Sequence, residues 1–347
     1  MNLLQNLVIG VKPRFIPLNS PFEEFIGCQF RSDLIRRPIH SLIEPLRRMS
    51  LILPPRKLCL TGGGIRVVAC VGALEVLEEK GLLKQVTEYI GISAGALLGF
   101  CLSIGYTVTE LKRLCLEFDF TLIREFDPET ALMFLDSYGL DSGEKLVRLL
   151  ETLLRVQRLP TDLTFQGLAE KNPKALLRCY ATDLHTCRQR EFSLQATPRV
   201  KLVDALRASM GMTFYYTPVA DPLTGHLLTD GAMITNYPMA YLTDDERRQT
   251  IGLSFSTAHT KKEEISDFIG FFQQILACTF VPTAERVQAE TVSNTILLPN
   301  GDFPSWKFEA TKEERQGLMT AARKATVEFL EKGVFRTNSP VRRWSVA

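Results

Sequence analysis

Two hydrophobic rhythms alternate through the first half of the chain. Lys57-Leu58-Cys59-Leu60-Thr61 is a short apolar run ending in three glycines, which predicts a buried strand and a tight loop. Over residues 65–80 the apolar positions follow helical spacing and Gly81 supplies the stop, so a helix is expected there. Thr87-Glu88-Tyr89-Ile90 predicts a second strand, and residues 93–104 a second, largely apolar helix. Strand, loop, helix, strand, turn, helix is the repeat of an α/β domain with a parallel sheet.

Between residues 110 and 175 the pattern is mostly helical. Residues 142–158 show it best, with Leu146, Leu149, Leu150, Leu153 and Leu154 on one face. Strand signals return at residues 176–181 and 250–255. Beyond Thr257 the expectation is helix throughout, over residues 265–280 and 312–332. In the first of these, Ile265, Phe268, Ile269, Phe271, Phe272, Ile275 and Leu276 cover much of the surface. Core packing is the commoner use of such a stripe. Facing outward, it would enter a lipid headgroup layer. Three regions result: a basic, proline-containing N-terminal extension over 1–56, an α/β domain over 57–256, and a C-terminal helical region over 257–347.

Composition narrows the class only a little. An apolar fraction of 45% and a charged fraction of 23% are ordinary for a folded domain of this length, 347 residues. The net charge of +2 gives no reason to expect nucleic acid. Seven basic residues between Arg31 and Lys57 read as a solvated arm, with attraction to anionic lipid as the alternative. Eight scattered cysteines without a C-x-x-C pair imply mostly buried thiols in a reducing compartment. No run of eighteen apolar residues is present, and Lys12, Pro13, Arg14 and Pro17 break any signal-peptide layout. The expectation is a cytoplasmic protein that meets membranes, if at all, from their surface.

Candidate chemistry lies at the ends of the predicted strands. Gly91-Ile92-Ser93-Ala94-Gly95 fits the G-x-S-x-G nucleophile elbow, placed between a strand and a helix as that turn requires. Ser93 is therefore the expected nucleophile, with Gly91 and Gly95 allowing the tight turn. Gly62-Gly63-Gly64 presents backbone N–H groups with no Cβ to screen them, as a developing oxyanion needs. A nucleotide cradle is the rival, but Val67 stands where G-x-G-x-x-G needs its third glycine and the P-loop Lys-Ser/Thr is missing. Arg66 reads either as a tether for that loop or as an exposed arginine at a helix start.

Serine needs a proton acceptor. None of His40, His185, His226 and His259 has a recognisable catalytic context. In Asp230-Gly231-Ala232 the glycine lets a carboxylate approach closely. An ordinary aspartate, with a pKa of about 3.9, is a poor base at neutral pH, and burial would raise it. A Ser93–Asp230 dyad is chemically reasonable only if the two side chains touch in a dry pocket; a Ser93–Asp230–His259 triad and a non-catalytic lipid-binding module are the alternatives. No His/Cys/Asp/Glu cluster has metal-ligand spacing, so neither metal nor cofactor is expected.

These motifs, taken together, resemble the patatin-like phospholipases over about two hundred residues, from Lys57 to Phe255. The intervening Tyr138-Gly139-Leu140-Asp141, Ala181-Thr182-Asp183-Leu184 with Glu191-Phe192-Ser193, Asp204-Ala205-Leu206-Arg207-Ala208-Ser209 and Asn236-x-Pro238 are similar to that family as well. The family usually has a proline where Thr213 stands. The resemblance implies a three-layer α/β fold with a central, mainly parallel sheet. It also implies a metal-independent Ser–Asp lipid acyl hydrolase, with Ser93 as nucleophile, Asp230 as base, Gly62, Gly63 and Gly64 as oxyanion hole and Arg66 as its support. The implied partners are a phospholipid substrate and a membrane surface; a protein activator is left open.

Overall fold

In the first strand, Leu58 and Leu60 join one apolar cluster and Cys59 joins another, with Ile90, Ile92, Tyr180 and Tyr237. All three of these strand residues are fully buried. A strand covered on both faces belongs to a sheet held between two layers of helices. The computed structural model describes residues 54–124, 132–257, 265, 268–301 and 303–332. Residues 1–53 of the N-terminal extension, His40 among them, and His259 lie outside these described residues.

The chain runs β1 (Lys57–Leu60), α1 (Val68–Glu79), β2 (Glu88–Ile92), α2 (Ala94–Ser103), α3 (Val108–Glu117), α4 (Phe134–Ser137), α5 (Glu144–Val156) and α6 (Phe165–Lys171). It continues through β3 (Leu176–Asp183), β4 (Arg188–Ser193), α7 (Leu202–Ser209), β5 (Val219–Ala220), β6 (Leu227–Asp230), α8 (Asp244–Arg248), β7 (Thr250–Phe255), α9 (Phe268–Glu290), β8 (Thr295–Leu298) and α10 (Lys312–Glu331). The sheet order is β5-β6-β3-β2-β1-β7-β8, with β4 also on β3. Pairing is parallel from β3 through β2, β1 and β7 to β8, and antiparallel where β4 and β6 meet β3 and where β5 meets β6. This is the mainly parallel, helix-flanked sheet expected.

Some elements depart from the sequence expectation. The first helix opens as a 3-10 turn over Gly64–Val67 before α1 begins, because Gly63 and Gly64 leave the strand at φ 157° and 56°. Beyond Thr257 the chain is not all helix: Thr295-Ile296-Leu297-Leu298 pairs in parallel with β7. Its apolar run is short, bounded by Asn294 and Pro299, and becomes a strand only because β7 offers an open edge. Helix α9 extends to Glu290 with Pro282 inside it. Among the described residues no helix is long and apolar enough to cross a membrane.

The two ends of the parallel strands differ. At their amino ends, buried Glu88 pairs with Lys57 and with Arg178, at 2.6 Å from Arg178 Nη2. At their carboxyl ends, β1 runs into the glycine loop and β2 into Ser93, the edge where open α/β sheets bind ligands.

Candidate active site

The elbow is set by close backbone approach. A Cβ on Gly91 would lie 2.5 Å from the Ala96 nitrogen, and one on Gly95 would lie 2.3 Å from the Thr61 carbonyl oxygen. Only glycine lets α2 start this near β1 and turn back over β2. Ser93 is left at φ 53°, ψ −130°, a sparsely populated conformation that is retained where the surroundings over-determine it. One such restraint is a hydrogen bond missed by the motif reading: Ser93 N–H donates to Ser209 Oγ at 3.1 Å. Ser209 Oγ in turn donates to the Tyr180 carbonyl at 2.7 Å. Ser93 itself is half-buried at the start of α2, where the helix dipole favours a developing anion.

Asp230 ends β6, opposite Ala181 of β3. Its Oδ2 accepts the Ser93 hydroxyl at 2.7 Å, and its Oδ1 accepts the Ala232 N–H at 2.8 Å. Its main chain is fixed on both sides: the N–H donates to the Gly211 carbonyl at 2.8 Å, and the carbonyl accepts from Thr182 Oγ1 at 2.9 Å. A Cβ on Gly231 would sit 2.3 Å from the Tyr180 carbonyl oxygen, so the glycine is what brings the carboxylate in. Burial pushes the Asp230 carboxyl up to about 6, while the hydrogen bonds from Ala232 and Ser93 pull the other way. A carboxylate so raised is a better base than an exposed one.

The three glycines divide. The Gly62 N–H donates to the Asn236 carbonyl at 2.8 Å, an oxygen that also accepts from Thr61 Oγ1 at 2.9 Å. Gly62 is thus occupied as a donor, and its place beside the serine is steric: a Cβ there would be 3.3 Å from Ser93 Cβ. Among the described residues, the Gly63 and Gly64 N–H groups have no hydrogen-bond acceptor. A side chain on Gly63 would strike the Phe255 ring at 2.6 Å, and one on Gly64 the Ser305 carbonyl oxygen at 2.1 Å. Arg66 lies 5.7 Å over that same Phe255 ring. With the Asn300 amide turned to satisfy both its ends, its oxygen accepts from Arg66 Nη1 at 2.8 Å. Burial lowers the Arg66 guanidinium to about 10.

Other expected features find places. Leu140 and Asp141 both donate their N–H groups to the Tyr215 carbonyl at 2.9 Å, joining the Tyr138-Gly139-Leu140-Asp141 segment to the loop after α7. In that loop Thr213 Oγ1 lies 2.9 Å from Thr229 Oγ1, which also donates to the Gly211 carbonyl at 2.9 Å. A hydroxyl pair thus tethers the loop where a proline was expected. Phe214 follows at φ 64°. Of the apolar stripe in residues 265–276, Ile265, Phe271 and Ile275 are exposed. Cys59, Cys70, Cys101, Cys115 and Cys179 are buried, whereas Cys187 and Cys278 are exposed.

A serine on a strand–helix elbow, a buried carboxylate in contact with it and a glycine loop whose Gly63 and Gly64 N–H groups have no acceptor among the described residues thus meet at the carboxyl edge of an α/β sheet. Residues 58–243 match the Patatin-like phospholipase family, and the chain belongs to it. A probable lipid hydrolase of Invertebrate iridescent virus 6 is 29% identical over 184 residues, covering 53% of this chain and 62% of that protein. An uncharacterized protein of Bacillus subtilis (strain 168) is 25% identical over 295 residues, covering 79% of this chain and 98% of its own length. Among solved structures, VipD from Legionella pneumophila superposes with a TM-score of 0.52 at 16% identity, over 81% of this chain and 67% of that one, a likeness of fold.

Proposed function

We propose that this protein is a lipid acyl hydrolase of phospholipase A type, cleaving fatty-acyl esters of membrane phospholipids through an acyl-Ser93 intermediate. The observation that carries this reading is the 2.7 Å hydrogen bond from Ser93 Oγ to Asp230 Oδ2 inside a patatin-like domain. The reaction follows from that contact. Asp230 Oδ2 takes the hydroxyl proton as Ser93 Oγ attacks the ester carbonyl carbon. The carbonyl oxygen becomes an oxyanion, for which the Gly63 and Gly64 N–H groups are the available donors, with the α2 dipole behind the serine. Collapse breaks the ester bond, and the departing alkoxide takes the proton from Asp230. A water then gives its proton to Asp230 and attacks the acyl-serine, releasing the fatty acid and returning the proton to Ser93. Arg66, stacked on Phe255, holds the loop that carries the donors. No step requires a metal.

The lipid's approach is read from the apolar surface. Leu132 is 85% exposed, Leu135 83% and Phe214 51%, and the Phe134 and Phe214 rings stand 6.3 Å apart. The Phe214 loop hangs on β6 through Gly211 and Thr213, the strand that ends in Asp230. An exposed apolar group fastened to the catalytic strand is suited to enter a headgroup layer. The test is release of fatty acid from labelled phosphatidylcholine vesicles in the presence of chelator. Wild type should hydrolyse, while Ser93→Ala and Asp230→Ala should each fall by at least about 10³-fold. Activity that survives Ser93→Ala overturns the proposal.

A further inference from the structure

One cluster of ligating side chains has no part in the hydrolysis. Asp183 ends β3, His185 sits in the turn to β4, and His226 immediately precedes β6. Two of the chain's four histidines meet here, although His226 is 43 positions from Asp183, which is why sequence spacing hides the group. One ligating atom from each residue lies within 4.8 Å of the others. His226 Nδ1 is 2.9 Å from Asp183 Oδ2, and the two imidazoles stack with centroids 4.6 Å apart. The other carboxylate oxygen, Oδ1, accepts the His185 and Thr186 N–H groups at 2.8 and 3.1 Å. The carboxylate is therefore oriented without using Oδ2. The β3–β6 pairing, Asp183 opposite Leu228, fixes it relative to His226, while the His185 side chain is exposed and able to turn.

We propose that Asp183, His185 and His226 bind a first-row divalent cation, zinc being the metal that fits two imidazoles and a carboxylate. Zinc–nitrogen and zinc–oxygen bonds of about 2.0–2.2 Å set tetrahedral ligand atoms roughly 3.3 Å apart. The pair at 2.9 Å needs only a slight opening, with the metal replacing the proton that Asp183 Oδ2 and His226 Nδ1 share. His185 leaves its 3.2 Å contact with the Leu227 N–H to supply Nδ1, and water takes the fourth position. Bound there, the metal fastens the β3–β4 turn to the strand that ends in Asp230. Its role is structural, so the site stands or falls separately from the esterase chemistry.

The test uses the full chain carrying Cys187→Ser, because the exposed thiol two residues after His185 binds metals by itself. Cobalt(II) is titrated by its visible absorption and displaced with zinc, and melting temperature is read with and without zinc. The expected result is one saturable equivalent per chain and a higher melting temperature with zinc. Adding His185→Ala or His226→Ala should weaken binding by at least roughly tenfold. The exposed His185→Ala variant decides the matter if the His226 variant folds poorly. Absence of saturable binding, or affinity unchanged by His185→Ala, overturns the proposal and leaves a hydrogen-bonded turn only.

Discussion

Ser209 Oγ accepts the main-chain N–H of Ser93 at 3.1 Å, across 116 positions of sequence. This bond accounts for two features at once. It steadies the unusual backbone of Ser93, and in the proposed mechanism it removes the Ser93 N–H from the pool of oxyanion donors and leaves that task to the glycine loop. Ser209→Ala leaves the half-buried Ser93 N–H without this partner, a penalty of at most about 1–3 kcal/mol, and frees the elbow to shift. The expected outcome is a fall in kcat of roughly tenfold or more with KM little changed, partly restored by Ser209→Thr. Steady-state kinetics on one phospholipid check this; an unchanged kcat would show that the elbow holds without it.

The raised Asp230 pKa makes an activity and a stability prediction together. Below about 6 the carboxyl is protonated and cannot accept the Ser93 proton, so activity should fall on an acid limb centred near that pH. Stability runs the other way. The native state holds this proton more tightly than the unfolded chain does, so the carboxyl's destabilising effect is absent below about 4 and grows as pH rises to about 6. Asp230→Asn keeps an oxygen for the Ala232 N–H and removes the buried charge. It should be inactive yet more stable at neutral pH, by at most roughly 3 kcal/mol, with the gain vanishing below about pH 4. Melting curves of both proteins across that range test the sign.

Two glycine substitutions should move stability in opposite directions. In Gly95→Ala the methyl group meets the Thr61 carbonyl at 2.3 Å, which forces α2 off β1 and should destabilise by about 1–3 kcal/mol while abolishing activity. Gly317 lies within α10, where an added Cβ has nothing within 4 Å. Gly317→Ala should stabilise by about 0.5–1 kcal/mol and leave hydrolysis alone. Denaturant melts read both; equal effects would contradict the packing described.

Much of this was legible locally. β1, β2 and β7 are apolar runs in the sequence, and the elbow and glycine loop are motifs whose constraints lie within a few residues. The rest is long-range. Nothing near Asn236 says that its carbonyl takes the Gly62 N–H, and Ser209 shows no sign of its bond to the elbow, because both depend on how distant strands align. β6 and β8 are not legible locally, because two apolar residues in Leu227–Asp230 and three in Thr295–Leu298 suit helix or strand equally, and sheet pairing decides between them. The occupied Gly62 N–H likewise belongs to the fold, since three consecutive glycines look equivalent as sequence.

The proposed lipid-facing surface is tested by replacing Leu135 and Phe214 with serine. Each loses apolar area that is already exposed, so the melting temperature should hold. Burying such a side chain in lipid is worth about 1.5–3 kcal/mol, so the double variant should bind vesicles at least roughly tenfold more weakly. Hydrolysis of a short, monomeric ester should persist. If Phe271→Ser with Ile275→Ser weakens vesicle binding instead, α9 is the docking element.

The central claim is that a buried carboxylate alone activates the serine. Its most direct test is kcat/KM for Asp230→Asn and His259→Ala, measured side by side on the same phospholipid. A dyad predicts that Asp230→Asn loses at least about 10³-fold and that His259→Ala stays close to wild type. Near-complete loss in His259→Ala, or substantial activity left in Asp230→Asn, would contradict it.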